Sequence, residues 1–370
     1  MRLTLHRRWF SPLIDMRGSS PPISSGSQSP IGRGLWDSVA SGLGYHLDNF
    51  GRWLFDNAPR FRGTYASLLA PNWPVPSPKP GWQFAEEYYD KRQWMACRRG
   101  ALWEAAAGTD ALVPLVLPWY GGTTVEVTLG NDNSLCLYVC GAFEPNEFAF
   151  LDGILQPGMT FVDVGANDGY YSLFAACRVG AGGRVVAIEP STRERVNLKR
   201  NIARNNLKNV SVIAAALGAA PGEARLRLAH GFHSGHNTLG SFAHDDVVAD
   251  SVEQVQVETL DSIVERLGLS RIDFIKIDVE GAEANVVRGG AGTLSRMRPI
   301  LIVEVNDRAL QAQGNSAESF LDLLRQGFDY EVLVFSNETG RVVRLTDTAS
   351  LSANVVACPK QRVDELLGRT

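Results

Sequence analysis

From about residue 160 onward, short apolar segments alternate with segments in which apolar residues recur at helical spacing. Apolar runs of this length, bounded by turn residues, are typical of buried strands. The pattern predicts strands near 160–164, 184–189, 210–215, 272–277 and 300–305. It predicts helices between them, among them 170–179 and 192–206, and further strands near 330–335 and 354–358. Such alternation predicts an α/β fold with a doubly wound, mainly parallel sheet.

The pattern changes upstream of this region. Residues 113–140 show period-two alternation with turn signals at Gly121, Gly122 and 130–133, which predicts a small antiparallel sheet. We therefore divide residues 111–360 into a small β segment, residues 111–150, and a main domain, residues 151–360.

The first 110 residues differ in composition. Residues 34–110 place aromatic and aliphatic side chains at helical spacing around a proline-rich break at 71–80, and predict a helical appendage with a second helix at 84–107. This appendage could cap a site, recognise substrate, mediate a homodimer or simply pack on the core. Residues 1–33 carry five arginines and one acid, and 18–33 are mostly Gly, Ser and Pro, which predicts a disordered tail. A transit peptide and a start codon placed too far upstream are the alternatives.

The composition of the chain narrows the class of protein. A net charge of −4 shows no excess of basic residues of the kind that nucleic-acid-binding proteins have. Five cysteines are odd in number and scattered, and Cys136 and Cys140 have no second pair at zinc-ligand spacing, so we expect reduced thiols in a cytoplasmic protein. No apolar run approaches the roughly 18 residues needed for a transmembrane segment.

The clearest chemical signal lies after the first strand of the main domain. The strand at 160–164 enters the turn Gly165-Ala-Asn-Asp-Gly169, a helix follows, and the next strand ends at Glu189. Glycine allows close backbone approach, the helix N-terminus offers free N–H groups, and a carboxylate at this strand end can accept from two ribose hydroxyls. The pattern predicts a nucleoside cofactor site.

Departures from the dinucleotide fingerprint indicate which nucleoside binds. The turn lacks the G-x-G-x-x-G glycine that admits a pyrophosphate, and two acids, Asp163 and Asp168, would repel one. Such acids suit the ammonium and sulfonium groups of S-adenosylmethionine. The alternative is an ordinary buried turn without a ligand.

A second group of motifs completes a resemblance. Glu258-Thr-Leu-Asp-Ser-Ile263, Ile272-Asp-Phe-Ile-Lys-Ile-Asp-Val-Glu-Gly-Ala-Glu283 and Arg298-Pro-Ile-Leu-Ile-Val-Glu304 follow Asp163-Val-Gly-Ala-Asn-Asp-Gly169 and Ala187-Ile-Glu-Pro190 in order. Together with Gly141-Ala-Phe-Glu-Pro-Asn-Glu147, they resemble the FkbM family of S-adenosylmethionine-dependent methyltransferases over residues 123–358. The resemblance implies a Rossmann-like, seven-stranded sheet whose last strand is antiparallel.

The cofactor-binding residues expected from these motifs lie at four strand ends: Asp163, Gly165, Ala166, Asn167, Asp168, Gly169, Glu189, Pro190, Ala215, Ala216 and Asp278. The segment Ala214-Ala-Ala-Leu-Gly218 contains no acid for the adenine amino group, so we expect main-chain groups to bind adenine there. We also expect Gly165→Val to block cofactor binding and leave the protein folded.

Three acids are candidates for the chemistry. Asp278 and Glu280 follow one predicted strand and Glu304 ends its neighbour in the family's fold, so one of them is expected to be the general base. Capping of the following helix is the alternative role for Glu280. The resemblance requires no metal; if magnesium bound, Asp278, Glu304 and Asn306 would be its oxygen ligands.

Four of the six histidines lie in one glycine-rich stretch: His230, His233, His236 and His244. We expect a solvated loop over the acceptor site, with His233 and His236 as further catalytic candidates. The H-x-x-H-x-x-H spacing leaves a zinc site open as an alternative.

These patterns predict a methyltransferase that acts on a hydroxyl of a sugar, a glycolipid or a polyketide-like molecule. A nucleoside-binding module without turnover is the alternative from another class, and an NAD-dependent oxidoreductase is opposed by the missing glycine.

Overall fold

The computed structural model describes residues 51–72, 76–81, 98–108, 113–233, 235–243, 247–346 and 351–369. The predicted tail, the part of the helical appendage before residue 51 and most of the helix expected at 84–107 lie outside these ranges, and so does His244. Within the described part of the appendage, residues 51–57 and 98–108 are helical. The tail and the dimer contact predicted for the appendage stay predictions.

The main sheet has eight strands in the order β12-β11-β13-β10-β9-β3-β4-β5. These strands are β3 (Thr160–Val164), β4 (Arg184–Ile188), β5 (Val210–Ile213), β9 (Phe274–Ile277), β10 (Ile300–Glu304), β11 (Tyr330–Phe335), β12 (Val342–Arg344) and β13 (Asn354–Pro359). The central pairs are parallel, and β13 runs antiparallel between β10 and β11. The α/β class and the antiparallel last strand are confirmed, and β12 adds an eighth strand at the edge.

Helices cover both faces of this sheet because alternate strand residues point to opposite sides. Phe161 and Phe274 belong to the apolar layer on one face, and Val162 and Ile275 to the layer on the other. Besides the helical residues 51–57 and 98–108, the α-helices in the described residues are Arg62–Leu68, Asp132–Ser134, Pro145–Ile154, Tyr170–Val179, Thr192–Arg204, Leu260–Arg266, Glu283–Gly289, Ala291–Met297, Asp307–Ala312, Ala317–Asp322 and Val363–Leu367.

The small β segment is half strand and half helix. Strands β1 (Val113–Pro118) and β2 (Thr124–Leu129) form the predicted antiparallel hairpin. The strand expected up to residue 140 is wrong, because Asp132–Ser134 begins a helix that continues as the π-helix Leu135–Cys140. The physical reason is a capping box: the Asn131 side chain accepts from the Ser134 N–H, and Ser134 caps Asn131 in return.

A second, three-stranded sheet stands beside the main one, in the order β6-β8-β7. It consists of β6 (Ala216–Leu217), β7 (Gly222–Ala229) and β8 (Ala249–Glu258). The connection between β7 and β8 carries the histidine-rich stretch. In the described part of the chain, we find no helix with the length and apolar character of a membrane span.

Candidate cofactor and acceptor site

A cavity lies where the parallel strands of the main sheet end, as expected for this architecture. It encloses about 640 Å³ of empty space, part of it open to solvent. The loops after β3, β4, β5 and β9 all contribute to its wall. The predicted site residues that line it are Gly165, Asn167, Glu189, Pro190, Ala215, Ala216, Asp278 and Glu280.

The loop after β3 is bound to the next strand by its own backbone. The N–H groups of Gly165 and Ala166 both donate to the Ile188 carbonyl, at 2.9 and 3.0 Å. Gly165 has φ +79°, and a Cβ there would lie 1.8 Å from the Asp278 carbonyl oxygen. The expectation that Gly165→Val would leave the protein folded is therefore wrong. This glycine makes room for the neighbouring main chain, which the sequence alone did not show.

Glu189 is held at both carboxylate oxygens. The backbone N–H of Asn167 donates to one oxygen and that of Ser191 to the other, each at 2.8 Å. Each oxygen keeps a second acceptor position, so the carboxylate can still accept from two hydroxyls. Burial raises its pKa to about 8 despite these two donors. The geometry fits a pair of ribose hydroxyls.

Four predicted residues of the loop after β3 are absent from the cavity wall: Asp163, Ala166, Asp168 and Gly169. Asp168 accepts from the Asn197 amide and the Tyr170 hydroxyl, and Asp163 accepts from the Ser172 hydroxyl at 2.5 Å. Both carboxyls are buried, which raises the pKa of each to about 6. Their contacts fix the loop and the helix after it, and their role as charge partners of the cofactor stays a prediction.

The three candidate acids come together at the ends of β9 and β10. Oxygen atoms of Asp278, Glu280 and Glu304 lie within 4.8 Å of one another. The Asn306 side chain accepts from the Ala309 N–H and caps the helix Asp307–Ala312. Its role as a magnesium ligand stays a prediction.

The pKa values of two of these acids diverge. Burial would raise the pKa of Asp278, but the Lys276 ammonium, 2.8 Å from its Oδ2, holds it below the usual range. Burial and the neighbouring Asp278 carboxylate raise the pKa of Glu304 well above its usual range. Asp278 is therefore ionised at neutral pH, and Glu304 keeps its proton to a higher pH than an ordinary glutamate does.

Lys276 is the main residue that the sequence analysis missed. Its side chain is 2 % exposed and its ammonium lies 4.9 Å from the centre of the Tyr171 ring. Glu144 accepts from the Tyr171 hydroxyl and from the Asn354 amide, the latter at 2.8 Å. A lysine inside the otherwise apolar strand Phe274–Ile277 was the available signal, since buried lysines are rare unless paired.

The histidine loop reaches the same acids. His236 Nδ1 lies 3.0 Å from Glu280 Oε1. Burial alone would lower the pKa of His236, but Glu280 and the nearby acids Asp132 and Asp278 raise it to about 9. His233 lies beside Asp132, whereas His230 is exposed.

The sequence profile of the FkbM methyltransferase domain matches residues 163–332. This part of the chain is similar to FkbM methyltransferase domains, whose cofactor is S-adenosylmethionine. The residues present fit that cofactor: Glu189 offers two fixed oxygens that would hold the ribose hydroxyls, and Ala215, Ala216 and Asp278 line the same cavity.

The curated proteins that are similar to this chain include the following two. The AMB antimetabolite synthetase AmbE of Pseudomonas aeruginosa is 30% identical over 233 residues, which is 53% of this chain and 11% of AmbE. The 2-O-methyltransferase NoeI of Sinorhizobium fredii is 26% identical over 182 residues, which is 46% of this chain and 72% of NoeI. The chain therefore spans about a tenth of AmbE.

Among solved structures, the methyltransferase FkbM of Methylobacillus flagellatus matches with a TM-score of 0.36 at 15% identity, over 83% of this chain and 60% of that one. The α/β fold is assigned from the order of the strands in this chain's main sheet and not from this structural match.

Proposed function

We propose that this chain transfers the methyl group of S-adenosylmethionine to a hydroxyl of a small-molecule or glycan acceptor, with Asp278 as the group that accepts the hydroxyl proton. The observation that carries the proposal is the position of Asp278, which lines the cavity, is paired with the Lys276 ammonium at 2.8 Å and lies beside Glu304. The similarity to NoeI, which is named a 2-O-methyltransferase, supports an oxygen atom as the methyl acceptor.

When bound, the cofactor supplies a methyl group already activated by sulfonium. In the displacement, a bond forms between the acceptor oxygen and the methyl carbon as the carbon–sulfur bond breaks. The electron pair stays on sulfur, which leaves S-adenosylhomocysteine. The acceptor hydroxyl becomes strongly acidic as its oxygen forms the new bond, so even a carboxylate of low pKa can take the proton.

Each residue then has a defined part. Lys276 keeps Asp278 ionised, and a hydrogen bond between Glu304 and Asp278 fixes the orientation of Asp278. Glu189 holds the ribose, which positions the methyl group in line with the acceptor oxygen. Proximity supplies a large share of the rate, and proton removal supplies the remainder.

Asp278→Asn tests the proposal because it removes the charge and keeps the shape. We expect methyl transfer, measured with methyl-labelled cofactor on a panel of hydroxyl acceptors, to fall by at least about 100-fold. Affinity for S-adenosylhomocysteine, measured by titration calorimetry, should change little. Asp250→Asn, at an exposed position of β8, is the matched control and should retain full activity.

Two outcomes would contradict the proposal. Unchanged turnover in Asp278→Asn would show that the base lies elsewhere. A wild-type chain that binds S-adenosylhomocysteine but methylates amines and no hydroxyl would move the acceptor atom from oxygen to nitrogen.

A further inference from the structure

Asp132, His233 and His236 form a cluster that the proposed methyl transfer does not use. Asp132 begins the helix after the β1–β2 hairpin, and the two histidines lie in the connection between β7 and β8. His233 Nδ1 is 3.7 Å and His236 Nε2 is 3.6 Å from the same atom, Asp132 Oδ2. Two imidazoles from one segment thus converge on one carboxylate oxygen from another.

These distances are too long for hydrogen bonds, which weaken beyond about 3.2 Å. They are close to the spacing of atoms that share a metal ion. Ligands at about 2.0–2.1 Å from a tetrahedral zinc lie roughly 3.3 Å from one another. Asp132 Oδ2 is buried, and the described residues offer it no hydrogen-bond partner. A buried carboxylate oxygen of this kind calls for a cation.

The surroundings orient the three side chains toward that point. The other oxygen of Asp132 accepts from the Asn133 N–H at 2.8 Å. The other ring nitrogen of His236 lies 3.0 Å from Glu280 Oε1. Histidines that bind metals usually donate their second N–H to a carboxylate, which fixes the tautomer and strengthens the ligand.

We propose that Asp132, His233 and His236 bind one divalent transition metal ion, zinc or an ion of similar ligand preference, with Glu280 as the carboxylate behind His236. Two imidazoles and one carboxylate are a ligand set of catalytic zinc and related sites, and they leave at least one position open. Glu280 and Gly235 also line the cofactor cavity. The open position therefore borders the acceptor side of that cavity, where water or an oxygen of the acceptor would complete the coordination.

The ligand set differs from the zinc site that the spacing of the histidines suggested. His230 is exposed and is not part of the cluster, and Asp132 supplies the third ligand in its place. Because Asp132 lies about a hundred positions upstream, no local motif could have revealed it.

The test uses the full chain without a histidine tag, freed of metal by chelator and then titrated with Co²⁺ alone or Zn²⁺ alone. We expect one ion per chain, a visible d–d spectrum with Co²⁺, and displacement of Co²⁺ by Zn²⁺. His233→Ala and Asp132→Asn should each weaken binding by at least about 100-fold. Glu280→Gln should weaken it by about 10- to 100-fold, the usual effect of a group behind a metal ligand.

His230→Ala is the matched control, since it removes a histidine of the same loop outside the cluster. Circular dichroism and thermal melts show whether each variant is folded, and Asp132→Asn preserves the shape of the cluster if His233→Ala does not fold. Equal Co²⁺ affinity in the wild type, Asp132→Asn and His233→Ala would overturn the proposal, as would the absence of stoichiometric binding to the wild type. Because the readout needs no methyl transfer, it stands apart from the test of the proposed function.

Discussion

Glu189 makes two kinds of contact at once: its oxygens accept from two backbone amides of the site and remain available to a ligand. A hydrogen bond without a net charge contributes about 0.5–1.5 kcal/mol, so two contribute about 1–3 kcal/mol, which is roughly 5- to 150-fold in affinity. We expect Glu189→Ala to weaken S-adenosylhomocysteine binding by a factor within this range, measured by titration calorimetry. Glu265→Ala, at an exposed position of the helix Leu260–Arg266, is the control. Unchanged affinity in Glu189→Ala would place the ribose elsewhere.

At the residue scale, the sequence predicts the position of a side chain in the site when that residue directly follows a strand. Glu189 and Asp278 follow strands directly, so the fold class alone brings them to the cavity. Lys276 and Asp132 were missed for the opposite reason. The partners of Asp132 are His233 and His236, about a hundred positions away in the chain. Lys276 pairs with Asp278 only two residues away, but its ammonium also lies against Tyr171, which comes from a distant helix.

The turn after β3 shows how one glycine joins two elements. We expect Gly165→Ala to lower the melting temperature as well as cofactor affinity, because its Cβ would meet the backbone of the β9 loop at 1.8 Å. Gly268→Ala is the matched control: Gly268 also has positive φ, +59°, but nothing lies within 4 Å of the added carbon. The difference between the two variants isolates the clash from the backbone strain common to both. Equal melting temperatures, with only cofactor binding lost in Gly165→Ala, would restore the interpretation drawn from the sequence.

At the element scale, periodicity located seven of the eight strands of the main sheet to within one or two residues and missed β12 (Val342–Arg344). It failed at 132–140, where alternating apolar residues hid a helix that a local capping box starts. It also failed to separate β6, β7 and β8 as a second sheet, since strand pairing is a long-range choice that alternation does not encode.

The β1–β2 hairpin is attached to the main domain by polar side chains of the helix Thr192–Arg204. Asn201 Oδ1 accepts from the Glu126 N–H at 2.7 Å, and its amide donates to the Asp168 carbonyl at 2.9 Å. Asn201 is fully buried, so these bonds connect the hairpin to the cofactor loop through one side chain. Such a contact is invisible in the sequence, where Asn201 looks like an ordinary surface residue of an amphipathic helix.

Across the whole molecule, the buried acids share one electrostatic property. Burial raises the pKa of a set of carboxyls spread over the main domain and the segment before it: Glu147 to about 8, Glu189 to about 8, Glu283 to about 7, and Asp163 and Asp168 to about 6. Ordinary pKa values in the unfolded chain are about 4. Between about pH 4 and 8 the folded protein therefore holds protons that the unfolded chain has released.

The sign of the pH dependence follows from this difference. Stability falls with rising pH wherever the folded state binds more protons than the unfolded state. In the metal-free protein His236 acts in the same direction between about pH 6.5 and 9, because its pKa in the folded state is raised to about 9. Asp278 acts in the opposite direction, but only below about pH 4, because its pKa is lowered. We therefore expect the free enzyme to be most stable near pH 5 and to lose stability steadily toward pH 9.

Thermal melts of the cofactor-free protein from pH 5 to 9 in one mixed buffer check this expectation. Glu147→Gln and Asp163→Asn each replace an acid by a neutral isostere, so each should flatten the decline over the range in which its carboxyl titrates. Glu338→Gln, at an exposed position, should leave the curve unchanged. A melting temperature that is constant or rises from pH 5 to 8 would show that these carboxyls are ionised in the folded protein. Their hydrogen bonds from Ser172, Asn354 and the backbone amides would then outweigh burial.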